Sequence, residues 1–207
     1  MRWVGGSTAP AVPPDAATNA TQWLYGSNWI RYAIARDAAF DVRNYEPAAF
    51  QARVQQTSEL IDASDPNLAP FFARGGKLIM RENAGDRAQS ALMGIAYHQA
   101  VVARLGVSTA EGAMRLYVSP ASTHSGNARS VLDQQPVPTM VDLLDPLDRW
   151  VTSGQPPPDV LVQTDRAAAP PFAVRAGRPL CRHPAYPRYI GGDRLRVDSY
   201  ACTAAQP

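Results

Sequence analysis

The sequence predicts an α/β fold with a mostly parallel sheet, and three segments in the middle of the chain carry this prediction. A short apolar run after a double glycine, at 75–80, is typical of a buried parallel strand. The segment 89–105 repeats apolar residues every three or four positions and ends before Gly106, as a helix does. A second apolar run at 115–119 leads into a polar loop. This order of strand, helix and strand indicates a βαβ unit.

The segments on either side of the βαβ unit predict loops, further helices and one strand. Residues 1–22 are rich in Pro, Ala, Thr and Asn and predict a connecting loop. The remaining patterns predict a short helix or aromatic anchor at 28–36, a helix at 47–64, a helix at 138–152 and a strand at 159–163. Pro146 lies inside the predicted helix 138–152 and is expected to kink or split it. The Pro- and Arg-rich remainder predicts a tail that wraps over the sheet.

Composition excludes several classes of protein. A length of 207 residues suits one domain of ordinary size, and 45% hydrophobic residues describe a folding chain. The net charge of +2 gives no basic surface for nucleic acid or for an acidic membrane. No run approaches the ~20 apolar residues of a membrane span, and the first ten residues hold no apolar signal region.

Two cysteines raise the question of the compartment. Cys181 and Cys202 enclose the segment 182–201, which has no strong helical or strand period. If they pair, closing this loop contributes roughly 3 kcal/mol and requires an oxidising compartment. The alternative is two unpaired thiols, since neither cysteine has the spacing of a metal or redox motif.

Two titratable residues follow the predicted strands. Asp86 comes after the first strand and His124 after the second, and ligands of open α/β sheets bind at the carboxyl ends of strands. Adjacent strands place these side chains near each other, so that the aspartate orients the imidazole and leaves its Nε2 to activate a nucleophile. The alternatives are a helix N-cap for Asp86 and an ordinary solvated loop residue for His124.

A nucleophile is missing from this pattern. The sequence contains no Gly-x-Ser-x-Gly turn, and the nearest string, around Ser7, has no strand before it. His98 lies on an apolar helix face and is expected to pack, whereas His183 is expected at the surface. Too few His, Cys and carboxylate residues cluster to predict a metal site.

Five segments together resemble a known family. NWIRYAIARD, FFARGGKLIMRENAGDRAQS, RLYVSPASTHSG, VDLLDPLDRWVTSGQPPPDVLVQT and RPLCRHPAYPRYIGGD are similar, in this order, to the C-terminal part of tannases and feruloyl esterases. The resemblance implies the C-terminal part of a doubly wound, mostly parallel α/β-hydrolase sheet. It also implies that Asp86 and His124 are the triad acid and histidine, and that Cys181 and Cys202 form a disulfide closing the C-terminal tail.

The sequence departs from the family pattern at two places. Ser125 stands where the family commonly has a cysteine bridged to one beside the nucleophile, and the approach to Asp86 begins at Glu82 instead of a histidine. The resemblance implies that the nucleophile, the oxyanion hole and a calcium site in the lid lie upstream. Residues 1–62 then correspond to the end of the lid region and the return segment, and 63–207 to the C-terminal part of the catalytic domain.

The resemblance implies a carboxylic ester hydrolase that uses a Ser-His-Asp mechanism on esters of aromatic acids such as gallate or ferulate. A chain with the acid and the histidine but no serine is expected to be inactive by itself. The expected partner is a small aromatic ester, with no nucleic acid, no membrane and no cofactor in this chain, in a secreted or periplasmic setting. The alternatives are a non-catalytic truncated product or a module that binds aromatic compounds through Trp23, Trp29 and Tyr32, and an unrelated hydrolase using Ser7.

Overall fold

The computed structural model describes residues 21–86, 88–126 and 128–204. The chain divides into two compact units, Met1–Asp65 and Pro66–Pro207. The loop expected at 1–22 lies outside the described residues except for its last two positions, and so does Ser7. The assignment of 1–62 to a lid region stays a prediction. No helix in the described part of the chain is long and apolar enough to cross a bilayer.

The regular secondary structure in the described part of the first unit is helical. Helix α1 (Thr21–Asn28) continues into a π-helical segment at Trp29–Ala35, which confirms a helix where the sequence predicted one at 28–36. Helix α2 (Gln51–Ile61) follows a 3-10 turn at Pro47–Phe50, close to the predicted bounds of 47–64. The two helical segments meet, and Ile34 is buried in this unit.

The second unit contains the predicted βαβ arrangement. After a short helix α3 (Ala69–Ala73), the strand β1 (Leu78–Asn83) pairs in parallel with β2 (Met114–Ser119), residue by residue from Leu78 opposite Met114 to Asn83 opposite Ser119. Between them lie α4 (Ala91–Leu105) and α5 (Val107–Ala113). Ser90 caps α4 by accepting a hydrogen bond from the Leu92 amide, and Gly106, at φ +83°, ends it.

The predicted helix at 138–152 begins later than expected. Helix α6 spans Leu144–Ser153, and its residue Pro146 lies in the first turn, where its missing N–H breaks no bond. The expectation of a kinked or split helix is therefore wrong. The preceding backbone is extended because Met140 bridges to Thr164 of the next strand.

The C-terminal tail is more regular than the sequence suggested. Strands β3 (Val160–Arg166) and β4 (Val174–Cys181) form one antiparallel hairpin, and β5 (Ala185–Tyr189) pairs with β6 (Tyr200–Ala204). Only the β3 region was predicted as a strand. Among the described residues the sheets are small, and the only parallel pair is β1 with β2.

The core of the second unit joins the βαβ unit to the tail. Tyr117 of β2 packs with Leu161 and Leu180 of the β3–β4 hairpin, and Ile79, Val141 and Leu143 pack around them. The Tyr117 hydroxyl donates a hydrogen bond of 2.6 Å to the Pro158 carbonyl, so the buried phenol is satisfied. This core holds the tail against β2.

The cysteines are paired. Cys181 at the end of β4 is bonded to Cys202 of β6, with their Cα atoms 5.7 Å apart. This confirms a disulfide-closed tail and excludes the unpaired thiols.

Removing this disulfide is expected to lower the free energy of unfolding by about 3 kcal/mol, because a closed loop of this length restricts the unfolded chain. The measurement is urea unfolding with and without a reductant. The Cys202→Ala variant serves as the control. It has no disulfide to reduce, so its unfolding midpoint should be the same with and without the reductant. An unchanged midpoint for the reduced parent chain would contradict the expected contribution.

Candidate active site

Asp86 and His124 are in direct contact. Nδ1 of His124 lies 2.8 Å from Oδ2 of Asp86, and the two residues follow β1 and β2 respectively. The sequence predicted this proximity from the carboxyl ends of adjacent parallel strands. The exposed fraction of the side chain is 10% for Asp86 and 70% for His124. The carboxylate is therefore enclosed while the imidazole faces outward.

Hydrogen bonds from the end of β1 and from the loop after it hold the loop that carries His124. The Gly85 amide donates to the Ser122 carbonyl at 3.0 Å, and Asn83 Nδ2 donates to the Thr123 carbonyl at 3.1 Å. A Cβ atom on Gly85 would lie 2.8 Å from the Ser122 oxygen, so this close approach requires glycine. The spacing of the loops is thus set by residues next to Asp86 and His124.

The second oxygen of Asp86 binds its own loop. Oδ1 accepts hydrogen bonds from the amides of Ala88 at 2.7 Å and Gln89 at 3.2 Å. The N-cap of α4 is Ser90, so Asp86 is not the helix cap that the sequence left as an alternative. Burial opposes ionisation of Asp86, but the bond to His124 and the two amide bonds outweigh it, and the pKa of the carboxyl lies below its usual value.

The contact with Asp86 fixes how the imidazole is used. Because an ionised carboxylate only accepts hydrogen bonds, the neutral ring carries its proton on Nδ1 and presents the lone pair of Nε2. Among the described residues, the hydrogen bonds of the His124 ring use Nδ1. In this tautomer Nε2 carries the lone pair that can take a proton from a nucleophile.

Glu82 is a third ionisable group near this pair, which sequence reasoning noted only as a departure from the family pattern. Burial and the neighbouring Asp86 carboxylate raise the pKa of Glu82. Its carboxyl lies against Gly94 of α4, where a Cβ atom would overlap Glu82 Oε1. The signal in the sequence was an acidic residue between Arg81 and Asn83 at the polar end of β1, faced by a glycine within a helix.

The other candidate residues lie elsewhere. His98 of α4 and His183 contact each other edge to face, with ring centroids 6.4 Å apart, and burial lowers the pKa of both. His98 and His183 are both partly exposed, so His98 packs against a neighbouring ring without being fully buried and the surface role of His183 stays a prediction. Trp29 and Tyr32 belong to the first unit, with 47% and 64% of their surface exposed.

No metal site is formed by the part of the chain that the structure describes. Within 21–86, 88–126 and 128–204, no group of three or more His, Cys, Asp or Glu side chains could hold an ion. These residues do not fit a calcium site, and a calcium site upstream stays a prediction from the resemblance.

Comparison with known proteins identifies the family. The sequence model described as tannase and feruloyl esterase matches residues 2–203. The chain belongs to the tannase and feruloyl esterase family. It is 31% identical over 186 residues to a probable feruloyl esterase of Arthroderma benhamiae, covering 87% of this chain and 33% of that protein. It is 29% identical over 209 residues to an uncharacterized esterase of Agrobacterium fabrum, covering 98% of this chain and 35% of that protein.

A solved structure confirms the fold of this tannase and feruloyl esterase family member. The crystal structure of feruloyl esterase B from Aspergillus oryzae superposes with a TM-score of 0.71 at 20% identity, over 90% of this chain and 39% of that one. The predicted fold class, the C-terminal part of an α/β-hydrolase, is confirmed. The chain spans about a third of the length of the curated relatives named above.

Enlarging Gly85 is expected to separate the two loops. The Gly85→Ala variant places a methyl group against the Ser122 carbonyl and should lower the free energy of unfolding by about 1–3 kcal/mol. The matched control is Gly112→Ala in α5, where a Cβ atom meets nothing within 4 Å and alanine favours the helix. Denaturant unfolding measures both variants. Equal stability of the Gly85→Ala variant and the parent chain would show that the loops are not held this closely.

The stability of the site depends on pH through Asp86. A carboxyl with a lowered pKa in the folded chain contributes its full stability above its ordinary value of 3.8 and loses it as pH falls through the lower value. The stability difference between the parent chain and Asp86→Asn should therefore shrink as the pH falls below about 4, where ordinary imidazoles are already charged. Urea unfolding across this range measures it, and a difference that grows on acidification would contradict the assignment.

Proposed function

We propose that this chain supplies the acid and the histidine of a Ser-His-Asp carboxylic ester hydrolase. The observation that carries the proposal is the 2.8 Å contact between His124 Nδ1 and Asp86 Oδ2 at the carboxyl ends of two parallel strands. Membership of a family of carboxylic ester hydrolases supports the same chemistry. The exposed imidazole supports it further, because a base must reach a group outside its own loop.

The proposed reaction proceeds in two halves. A serine hydroxyl attacks the ester carbonyl while His124 Nε2 takes its proton, and the tetrahedral intermediate collapses as His124 returns that proton to the leaving alcohol. Water then attacks the acyl-enzyme by the same route, releasing the acid and the free serine. Asp86 holds the ring in the productive tautomer and stabilises the imidazolium that forms.

The nucleophile of this scheme is proposed to lie outside the 207 residues. The sequence has no Gly-x-Ser-x-Gly turn, and the chain spans about a third of its relatives. Ser122, close to His124 in the chain, is fully buried and bonded to Ser119 and Arg81, so its hydroxyl is already engaged. The chain alone is therefore expected to be inactive.

The proposed substrates are esters of aromatic acids, such as ferulate or gallate. The support is the similarity to the Arthroderma benhamiae protein, a probable feruloyl esterase, together with the family itself. A secreted or periplasmic location is proposed on the strength of the disulfide between Cys181 and Cys202, which requires an oxidising compartment. No cofactor enters the proposed reaction through this chain, and no nucleic acid or membrane partner is proposed.

The test begins with the DNA upstream of the codon for Met1. We expect it to encode, in frame, a strand followed by a Gly-x-Ser-x-Gly-like turn. The protein expressed from the extended reading frame should hydrolyse methyl ferulate or a p-nitrophenyl ester. His124→Gln should then lower kcat by roughly 10³-fold or more. His183→Gln is the matched control, since it removes another histidine that bonds neither Asp86 nor His124 and should keep the activity.

Three results would overturn parts of this proposal. Ester hydrolysis by the 207-residue chain that disappears in His124→Gln would place the nucleophile inside it. An extended enzyme unaffected by His124→Gln would remove His124 from the mechanism. The alternative of a module that binds aromatic compounds would be favoured by two results together: stop codons upstream of Met1, and quenching of tryptophan fluorescence by ferulate in the parent chain but not in Trp29→Ala. The exposure of Trp29 and Tyr32 allows this alternative.

A further inference from the structure

A buried polar cluster lies directly behind the loop that carries His124. We call it the Arg81 cluster: Arg81, Ser119, Ser122, Thr139 and Gln163. Arg81 Nη2 donates to Ser122 Oγ at 2.9 Å and to the Thr139 carbonyl at 2.8 Å, and lies 3.5 Å from Gln163 Oε1. Ser119 Oγ donates to Gln163 Oε1 at 2.8 Å and lies 2.8 Å from Ser122 Oγ. The exposed fraction of Ser119, Ser122 and Gln163 is at most 1%.

The cluster connects four parts of the second unit through one side chain. Arg81 belongs to β1, Ser122 to the loop after β2, Thr139 to the segment before α6 and Gln163 to β3. These partners come from 41, 58 and 82 residues away along the chain. A single guanidinium group therefore ties the His124 loop to β1 and to the β3–β4 hairpin.

The face of β1 that carries Arg81 also carries Asn83, because residues two apart in a strand point the same way. Arg81 bonds the Ser122 hydroxyl, and Asn83 Nδ2 bonds the Thr123 carbonyl. The two residues that immediately precede His124 are thus both held by this face of β1. The backbone of the base is fixed at the strand that leads to Asp86.

The charge of Arg81 makes this arrangement unusual for a purely structural role. Burial lowers the pKa of the Arg81 guanidinium, and among the described residues its acceptors are neutral oxygens, with no carboxylate forming a salt bridge to it. Apolar residues of similar volume often serve stability as well as a buried charge does. A single nitrogen of Arg81, Nη2, however, contacts acceptors from three distant parts of the chain, while Nε is buried without a hydrogen-bond partner among the described residues.

We propose that Arg81 is a positioning residue that holds the His124 loop so that Nδ1 stays bonded to Asp86, an inference that rests on the proposed function for its catalytic meaning. Without Arg81, Ser122 and Gln163 lose their cationic donor, and the loop relaxes away from β1. The imidazole then loses its carboxylate acceptor in part of the molecules. In water an unconstrained imidazole prefers the tautomer with hydrogen on Nε2. In that tautomer Nε2 has no free lone pair and cannot accept the proton of a nucleophile.

The experiment reads the tautomer of His124 in the 207-residue chain by ¹⁵N NMR of labelled histidine, at about pH 8.5, where ordinary imidazoles are neutral. The chain has three histidines, and His124→Gln assigns the signal. The parent chain should show hydrogen mainly on Nδ1. In Arg81→Met the ratio of the Nδ1–H to the Nε2–H tautomer should fall by roughly fivefold, the change expected for the loss of one ordinary hydrogen bond.

Two variants separate positioning from general destabilisation. Arg115→Met removes another buried arginine, on β2, whose guanidinium packs 5.0 Å from the Trp150 ring and bonds the Met114 carbonyl; it should leave the tautomer ratio unchanged. Ser122→Ala removes one acceptor of Arg81 together with the contact to Ser119 Oγ, and should lower the ratio by roughly twofold. The far-ultraviolet circular dichroism spectrum shows whether Arg81→Met folds. If it does not, the tautomer ratio of Ser122→Ala tests the positioning role.

An unchanged ratio in the folded Arg81 or Ser122 variants would overturn the positioning role, and so would an equal fall in Arg115→Met. The readout needs no substrate and no serine. The tautomer ratio could fall in Arg81→Met while the extended enzyme keeps its activity in His124→Gln. This pair of results would overturn the proposed function but would confirm that Arg81 positions His124.

Discussion

The parallel register between β1 and β2 is the constraint on which the rest of the second unit depends. Leu78 lies opposite Met114, and this pairing continues without a shift to Asn83 opposite Ser119. Both strands therefore end at the same level, and the hydrogen bond from Gly85 to Ser122 extends their contact into the loops. A slip by one residue would offset the two strand ends and turn the side chains of the shifted strand to the other face of the sheet. The contact between the two loop residues beyond the strands is thus a consequence of the register.

The sequence allowed the βαβ unit to be predicted because its signals are local. Apolar runs, helical spacing and the glycine after α4 each act within a few residues. The β3–β4 hairpin and the start of α6 could not be predicted this way. Strand β4 includes two arginines, a glycine and a proline, so it shows little apolar alternation, and it becomes a strand by pairing with β3. The extended backbone before α6 depends likewise on a bridge between Met140 and Thr164.

The candidate site likewise contains residues that local sequence predicts and residues that depend on distant contacts. The proximity of Asp86 and His124 could be predicted, because strand ends and chain spacing are readable from one sequence and the rule for open α/β sheets connects them. Arg81 gave no such signal, since an arginine inside a strand normally marks a solvated face. Its burial depends on Ser122, Thr139 and Gln163, which the fold brings from distant parts of the chain. Residues that support a site are harder to predict than residues that form it.

The two carboxyl groups at the end of β1 differ in how strongly their surroundings favour the charged form. Burial and the neighbouring carboxylate raise the pKa of Glu82, whereas hydrogen bonds from the imidazole and from two amides overcome burial and lower that of Asp86. Divergent pKa values in neighbouring acids are a frequent means of assigning them different roles. Here the negative charge is favoured on the acid that accepts from Nδ1 of His124. Gly94 contributes to this division, because a Cβ atom at its position would overlap the Glu82 carboxyl and force that side chain to move.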